Sequence, residues 1–200
     1  MRQRLKPAGL AGLVLAAGLG RRFDPCGRRW KLAAPLPDGR PVLRAACEAM
    51  LEAVDELLVV CGEHEPEAAR VLDGLPLALL RCPDAGAGMG ATLKCGVRAA
   101  EPSVGWLVAL GDMPFVRAAT VGAVGASLRA GARIARPWYD GRPGHPVGFC
   151  ADLRPELLAI GDAAGAGELI RRHGPETVVL DSDDPGCVRD IDTPADLAGA

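Results

Sequence analysis

Short apolar runs alternate along this chain with stretches in which apolar residues return at helical spacing. Leu13 to Ala16 is the first run, Glu56 to Cys61 the second, Leu77 to Arg81 the third and Trp106 to Leu110 the fourth. Between them Pro41 heads a segment through Ala53 with Val42, Ala45, Ala46 and Ala49 on one helical face, and Glu67 to Leu72 and Ala91 to Ala100 carry similar patterns. Runs of strand length separated by helices predict repeated β-α-β units and a parallel, doubly wound sheet. The second run is apolar on both faces, as a strand covered on both sides requires.

After Asp112 the alternation loosens. The pattern predicts a helix over Arg117 to Ala130 and a strand over Ala132 to Ala135, then turn chemistry throughout Arg136 to Pro146, so that a strand near Val147 to Phe149 returns antiparallel. Two short helices, a strand at Thr177 to Leu180, an acidic loop and a last helix capped by Thr193, with Pro194 at its first position, complete the order. The expectation is one α/β domain over residues 1–200, mostly parallel, with helices on both faces and an antiparallel excursion in the C-terminal half.

Composition narrows the function. With 23 basic against 25 acidic residues, a net charge of −2 and 4% aromatics, the chain has neither the charge nor the stacking surface of a nucleic-acid binder. The amino terminus turns from basic to apolar, but the apolar stretch is too brief to span a bilayer and leads into a glycine-rich loop rather than a cleavage site. Seven cysteines, odd in number and never paired as Cys-x-x-Cys, argue against a disulfide framework or a zinc site and for a reducing, cytoplasmic setting.

In an open parallel sheet the ligand sits beyond the carboxyl ends of the strands. The first strand there ends in Leu15-Ala16-Ala17-Gly18-Leu19-Gly20-Arg21-Arg22, whose small residues permit close backbone approach to an anion. From Arg21 to Lys31, counting Arg28 and Arg29, five positive charges and one negative leave +4 in an acidic protein, the mark of a polyphosphate site. Phe23 breaks a dinucleotide Gly-x-Gly-x-x-Gly, and Leu32 after Lys31 breaks a P-loop. The fourth strand runs into Gly111-Asp112-Met113-Pro114, a strand-end carboxylate suited to Mg²⁺ between phosphate oxygens. Near the end, Asp190 and Asp192 alternate on one face of an extended segment, within a stretch from Asp181 to Asp192 that sums to −4.

Together these motifs resemble the MobA-like nucleotidyltransferases, and among them the molybdenum cofactor cytidylyltransferases. The likeness runs nearly the whole length: Leu15-Ala16-Ala17-Gly18 through Arg22 and Lys31, Pro83-Asp84 with Gly88-Met89-Gly90-Ala91-Thr92, Gly111-Asp112-Met113-Pro114, Gly144-His145-Pro146, and Asp190-Ile191-Asp192-Thr193-Pro194. The resemblance implies a Rossmann-like fold and transfer of CMP from CTP to the terminal phosphate of a molybdopterin-type cofactor, releasing pyrophosphate. On it, Leu15, Ala16, Ala17, Gly18 and Gly20 would meet the nucleotide, with Gly88 and Thr92 near the base. Arg22, Lys31 and Asp112 would be catalytic, Asp112 and Asp192 would hold Mg²⁺, and Gly144, His145 and Pro146 would face the acceptor. A molybdoenzyme or a maturation chaperone would be the onward partner. The loop between Arg22 and Lys31 is longer than the family's usual one.

The family's Ala-Ala-Gly form, with Ala17 at the second position, is expected to favour a pyrimidine over GTP. A guanylyl or sugar-phosphate nucleotidyltransferase on the same fold, and a non-catalytic carrier, stay open as alternatives. His64 and His173 are expected at the surface, Trp106 in the core, and Trp138 and Tyr139 either in the core or stacked on a flat heterocycle.

Overall fold

The computed structural model describes residues 9–26 and 29–198. Arg28 and the basic stretch before Gly9 lie outside them. The first strand, β1 (Leu10–Ala16), is buried along its entire length and pairs in parallel with β2 (Glu56–Cys61) on one side and β4 (Gly105–Leu110) on the other. β3 (Ala78–Arg81) extends the parallel half beyond β2. Beyond β4 the direction reverses: β7 (Val147–Cys150) is antiparallel to both β4 and β5 (Ile134–Tyr139), and β8 (Thr177–Asp181) pairs in parallel with β5. A hairpin joins β5 to the short β6 (Arg142–Pro143), giving the order β3-β2-β1-β4-β7-β5-β6.

Successive residues of β1 supply two separate cores, as strand alternation dictates. Leu10, Val14 and Ala16 join the cluster under α1 (Val42–Leu51) and α4 (Ala118–Arg129), whereas Ala11, Leu13 and Leu15 join the one under α3 (Met89–Ala99), α5 (Arg154–Leu158) and α6 (Gly167–Arg172). Trp106 is 1% exposed, as expected of a core tryptophan. α2 (Glu65–Val71) and α7 (Pro194–Ala198) complete the helices, and among the described residues none is long and apolar enough to cross a membrane. All seven cysteines are free.

Two expectations need correction. β1 begins at Leu10 rather than Leu13, because Gly12 lets α1 and β2 close in: a Cβ there would meet Leu57 Cδ1 at 2.6 Å. Arg136 to Tyr139 is strand, not turn; the reversal is confined to Asp140 and Gly141, both at positive φ (47° and 72°), a two-residue hairpin turn. The final helix opens at Pro194 directly after Thr193, as expected, and Asp196 in its first turn reaches back, its Oδ2 accepting from Thr193 N at 2.6 Å, Thr193 Oγ1 at 2.9 Å and Asp192 N at 3.0 Å.

Asp184 ties the C-terminal segment to the sheet. Its carboxylate, 1% exposed, accepts from Arg117 N (2.8 Å), Thr120 Oγ1 (2.7 Å) and Gly186 N (2.9 Å), so one side chain satisfies the start of α4 and the turn that leads toward Asp192. Removing it strands three buried donors. Asp184→Ala is expected to lower the free energy of unfolding by on the order of 3 kcal/mol, read as a reduced midpoint in guanidinium denaturation with an unchanged slope.

Candidate functional site

The loop leaving β1 turns sharply at Gly20, whose φ of +61° is a left-handed conformation and whose α-carbon lies against the stem of Lys31. Between them the long loop is itself folded: Phe23 is buried, and the Asp24 carboxylate accepts from Cys26 N at 3.0 Å and Arg29 N at 2.9 Å. Trp30, also buried, stacks on His64 of the loop after β2, with ring centroids 5.1 Å apart and 19° between planes. Lys31 is thereby held inward with only 7% of its surface exposed.

A buried ammonium needs counter-charge, because an isolated one loses several kcal/mol of hydration. Lys31 Nζ donates to Asp112 Oδ2 at 2.6 Å, to Ile191 O at 3.0 Å and to Asp192 Oδ1 at 3.2 Å. Arg22 Nη1 reaches the other oxygen of Asp192 at 2.7 Å from a mostly exposed position. Ile191 N donates to Asp112 O at 2.8 Å, so the end of β4 and the C-terminal segment are zipped together at the backbone as well. Asp112 Oδ1 is buried without a partner, and carboxylate oxygens of Asp112, Asp190 and Asp192 lie within 4.8 Å of one another. Burial, and then the neighbouring Asp192 and Asp112, push the Asp190 carboxyl above the usual aspartate range. Three converging hard oxygens with one unused lone-pair site are what a divalent cation requires.

Two cavities open on this cluster. The larger, about 630 Å³, lies over the ends of β1, β2 and β3 and is lined by Leu15, Ala17, Gly18, Gly88, Thr92 and Asp112 among others. The smaller, about 230 Å³, is lined by Gly20, Arg21, Arg22, Lys31 and Asp192, with Leu15, Gly18 and Asp112 shared between the two. Ala16, expected at the nucleotide, is buried in β1 and lines neither. Gly88 and Gly90 lie under the 161–165 loop so tightly that a Cβ on Gly90 would overlap Gly161 O and Ala164 O; Lys94, ion-paired to Asp162, fastens that loop.

The acceptor triplet sits apart from both cavities. Gly144 is pressed against Cys187, while His145 and Pro146 border a void of about 10 Å³ between β4 and helices α1 and α4. Glu63 and Arg81 line the larger cavity and escaped the reading of the sequence, although they obey its own rule: they stand where β2 and β3 end. His64 and His173 are not free surface residues; they contact Glu67 at 2.7 Å and Glu156 at 2.9 Å.

Comparison with known proteins places these features. The family model for the MobA-like NTP transferase domain matches residues 12–178. Nicotine blue oxidoreductase of Paenarthrobacter nicotinovorans is 31% identical over 193 residues, covering 92% of each chain. A nucleotidyl transferase from Methanothermobacter thermautotrophicus superposes with a TM-score of 0.80 at 27% identity, over 95% of this chain and 94% of that one. A homologue of Rv0371c from Mycobacterium sp. strain JC1 gives 0.77 at 28% identity, over 95% and 96%. Rv0371c of Mycobacterium tuberculosis, in complex with manganese, shares the fold at 23% identity and a TM-score of 0.71, over 96% and 97%.

The His145 ring carries a pH signature. Its Nδ1 is buried without a partner, and burial, followed by the charge of Arg136, depresses its pKa from 6.5 to about 4. The folded state therefore binds fewer protons than the unfolded one between these values. His145 contributes its full stability above pH 6.5 and loses it as pH falls toward 4, in total by on the order of 2 to 3 kcal/mol. His145→Gln is expected to flatten the stability profile across that window, as followed by denaturation at fixed pH steps.

Proposed function

Because the chain belongs to the MobA-like NTP transferase family, we propose that it transfers CMP from CTP to the terminal phosphate of a molybdopterin-type cofactor and releases pyrophosphate. The observation that carries this reading is the buried Lys31 ammonium, held between the Asp112 and Asp192 carboxylates at the junction of a base-sized cavity and a smaller basic one.

The reaction brings two polyanions together. An oxygen of the acceptor phosphate forms a bond to the α-phosphorus, the bond from that phosphorus to the bridging oxygen breaks, and pyrophosphate leaves with the electron pair. The acceptor oxygen is already ionised at neutral pH, so no general base is needed, and catalysis rests on position and charge. In this chain the amides of Ala17 to Gly20 face the phosphates, and Lys31, Arg22 and Arg21 neutralise the charge that builds on the leaving group. Asp112 and Asp192, with Asp190 beside them, fit a hard divalent cation such as Mg²⁺ through the unpartnered Asp112 oxygen. When bound, that ion supplies charge neutralisation at the phosphate oxygens. The manganese complex of the structural neighbour supports a divalent ion in this family's fold.

The base occupies the larger cavity, where Ala17 projects at the slot and Glu63 and Arg81 line the wall. The Ala17 methyl group favours the smaller pyrimidine ring, and hence CTP over GTP.

The similarity to nicotine blue oxidoreductase favours a second reading, in which the same site carries out a redox reaction; hydride transfer from a reduced nicotinamide nucleotide is one chemistry of that class. Hydride transfer makes no use of leaving-group charge, and the paired carboxylates around Lys31 speak for phosphoryl chemistry. Incubation with CTP, Mg²⁺, a pterin phosphate and a reduced nicotinamide nucleotide separates the two: pyrophosphate release supports transfer, whereas oxidation of the reduced nicotinamide without pyrophosphate overturns it.

Within the transfer reading, Lys31→Ala is expected to lower turnover by roughly a hundredfold or more, and Asp112→Asn to abolish the Mg²⁺ dependence in a metal titration. Ala17→Gly removes one methyl group and supplies no partner for guanine, so the CTP to GTP ratio of kcat/KM should fall by roughly ten- to a hundredfold without reversing.

A further inference from the structure

Of the three cations that line the phosphate recess, Lys31 is matched by Asp112 and Asp192 and Arg22 by Asp192, while Arg21 is exposed. Arg136 is half-buried and has no such match. It lies in the middle of β5, its Nη2 donates to Gly144 O at 3.1 Å, and its Nε is buried without a partner. Among the described residues no carboxylate comes within 4.0 Å of its guanidinium, and burial lowers its pKa. A partly buried, unpaired guanidinium presents a planar fork suited to phosphate.

The sheet register places this group. Trp106 of β4 stands opposite Phe149 of β7, which stands opposite Ile134 of β5; Leu107, Gly148 and Ala135 form the next rung. β5 therefore runs in the same direction as β4, with Arg136 level with Val108 and Trp138 level with Leu110, one step short of the strand end that bears Asp112. Ile134, Trp106 and Val108 belong to the core under α3, α5 and α6, and Leu110 packs against it while also lining the larger cavity. By strand alternation Arg136 and Trp138 share that face. The buried His145 ring feels the charges of both Arg136 and Asp112.

We propose that Arg136 and Trp138 form the docking surface for the acceptor, the guanidinium holding its phosphate monoester and the half-buried indole its flat heterocycle. The assignment rests on the transfer reading for the identity of the acceptor. It puts the acceptor phosphate on the nucleotide-bearing face of the sheet, on the side of Asp112 opposite the base cavity, where an attack on the α-phosphorus opposite the departing pyrophosphate has to come from. Gly144, His145 and Pro146 then act as a brace that holds Arg136 rather than as direct contacts.

The test is titration of the whole protein, without nucleotide, by a pterin phosphate monoester and by the same pterin lacking phosphate, followed by tryptophan fluorescence. Trp30 and Trp106 are buried, so Trp138 is the responsive ring. The wild type is expected to bind the phosphorylated ligand at least tenfold more tightly. Arg136→Gln should remove that preference, Arg136→Lys should restore part of it, and Trp138→Phe should abolish the quenching, with CTP affinity unchanged in each. Equal binding of the two ligands by the wild type overturns the proposal without any variant, as does an undiminished preference in Arg136→Gln. Pyrophosphate release is scored separately. A wild type that releases none yet binds the monoester through Arg136 overturns the transfer reading and leaves this site standing.

Discussion

Burying one ammonium group forces three distant parts of this chain into a single arrangement. Lys31 is separated from Asp112 by 81 positions and from Asp192 by 161, yet all three meet within hydrogen-bond distance. The carboxylates are needed because Lys31 has been drawn out of water, and Lys31 is needed because two aspartates cannot approach so closely without a cation between them. The Trp30 and His64 stack and the Gly20 turn secure Lys31, and the Asp184 anchor secures the segment that leads to Asp192. The resulting charge cluster is neutralised internally, and a triphosphate or a metal ion engages it by replacing those internal pairs.

Much of this was legible before any coordinates. A strand buried on both faces must be written in continuous apolar residues, so β1, β2 and β4 could be found from hydropathy alone, and a site beyond their carboxyl ends followed from the parallel arrangement. Lys31, Asp112 and Asp192 were recognisable as charged residues at the margins of apolar segments. Their closeness was not: spacing along the chain carries no information on which loops the sheet order brings together.

The parts that escaped have definite physical causes. β5 contains Arg136 and Pro137 and ends beside an Asp-Gly turn, so local propensity pointed to loop, and only pairing with β7 and β8 makes it strand. Glu63 and Arg81 matter because β2 and β3 neighbour β1 in space, an order visible only once the sheet is assembled. Thr193 and Pro194 marked the start of the last helix correctly, but the reach of Asp196 back to the Thr193 and Asp192 amides depends on the folded turn and could not be read from composition.

The wide separation of the charge cluster also gives the protein a biosynthetic order. Synthesis runs from the amino end, and the four parallel strands that form the nucleotide floor leave the ribosome before any residue of β8. A nascent chain of that length possesses Lys31 and Asp112 but lacks Asp192, together with the segment that fastens it to Asp112 O. Without Asp192 the lining of the phosphate recess carries Arg21, Arg22 and Lys31 against Asp112 alone. The charge balance of the recess therefore waits on a residue made 80 positions after Asp112.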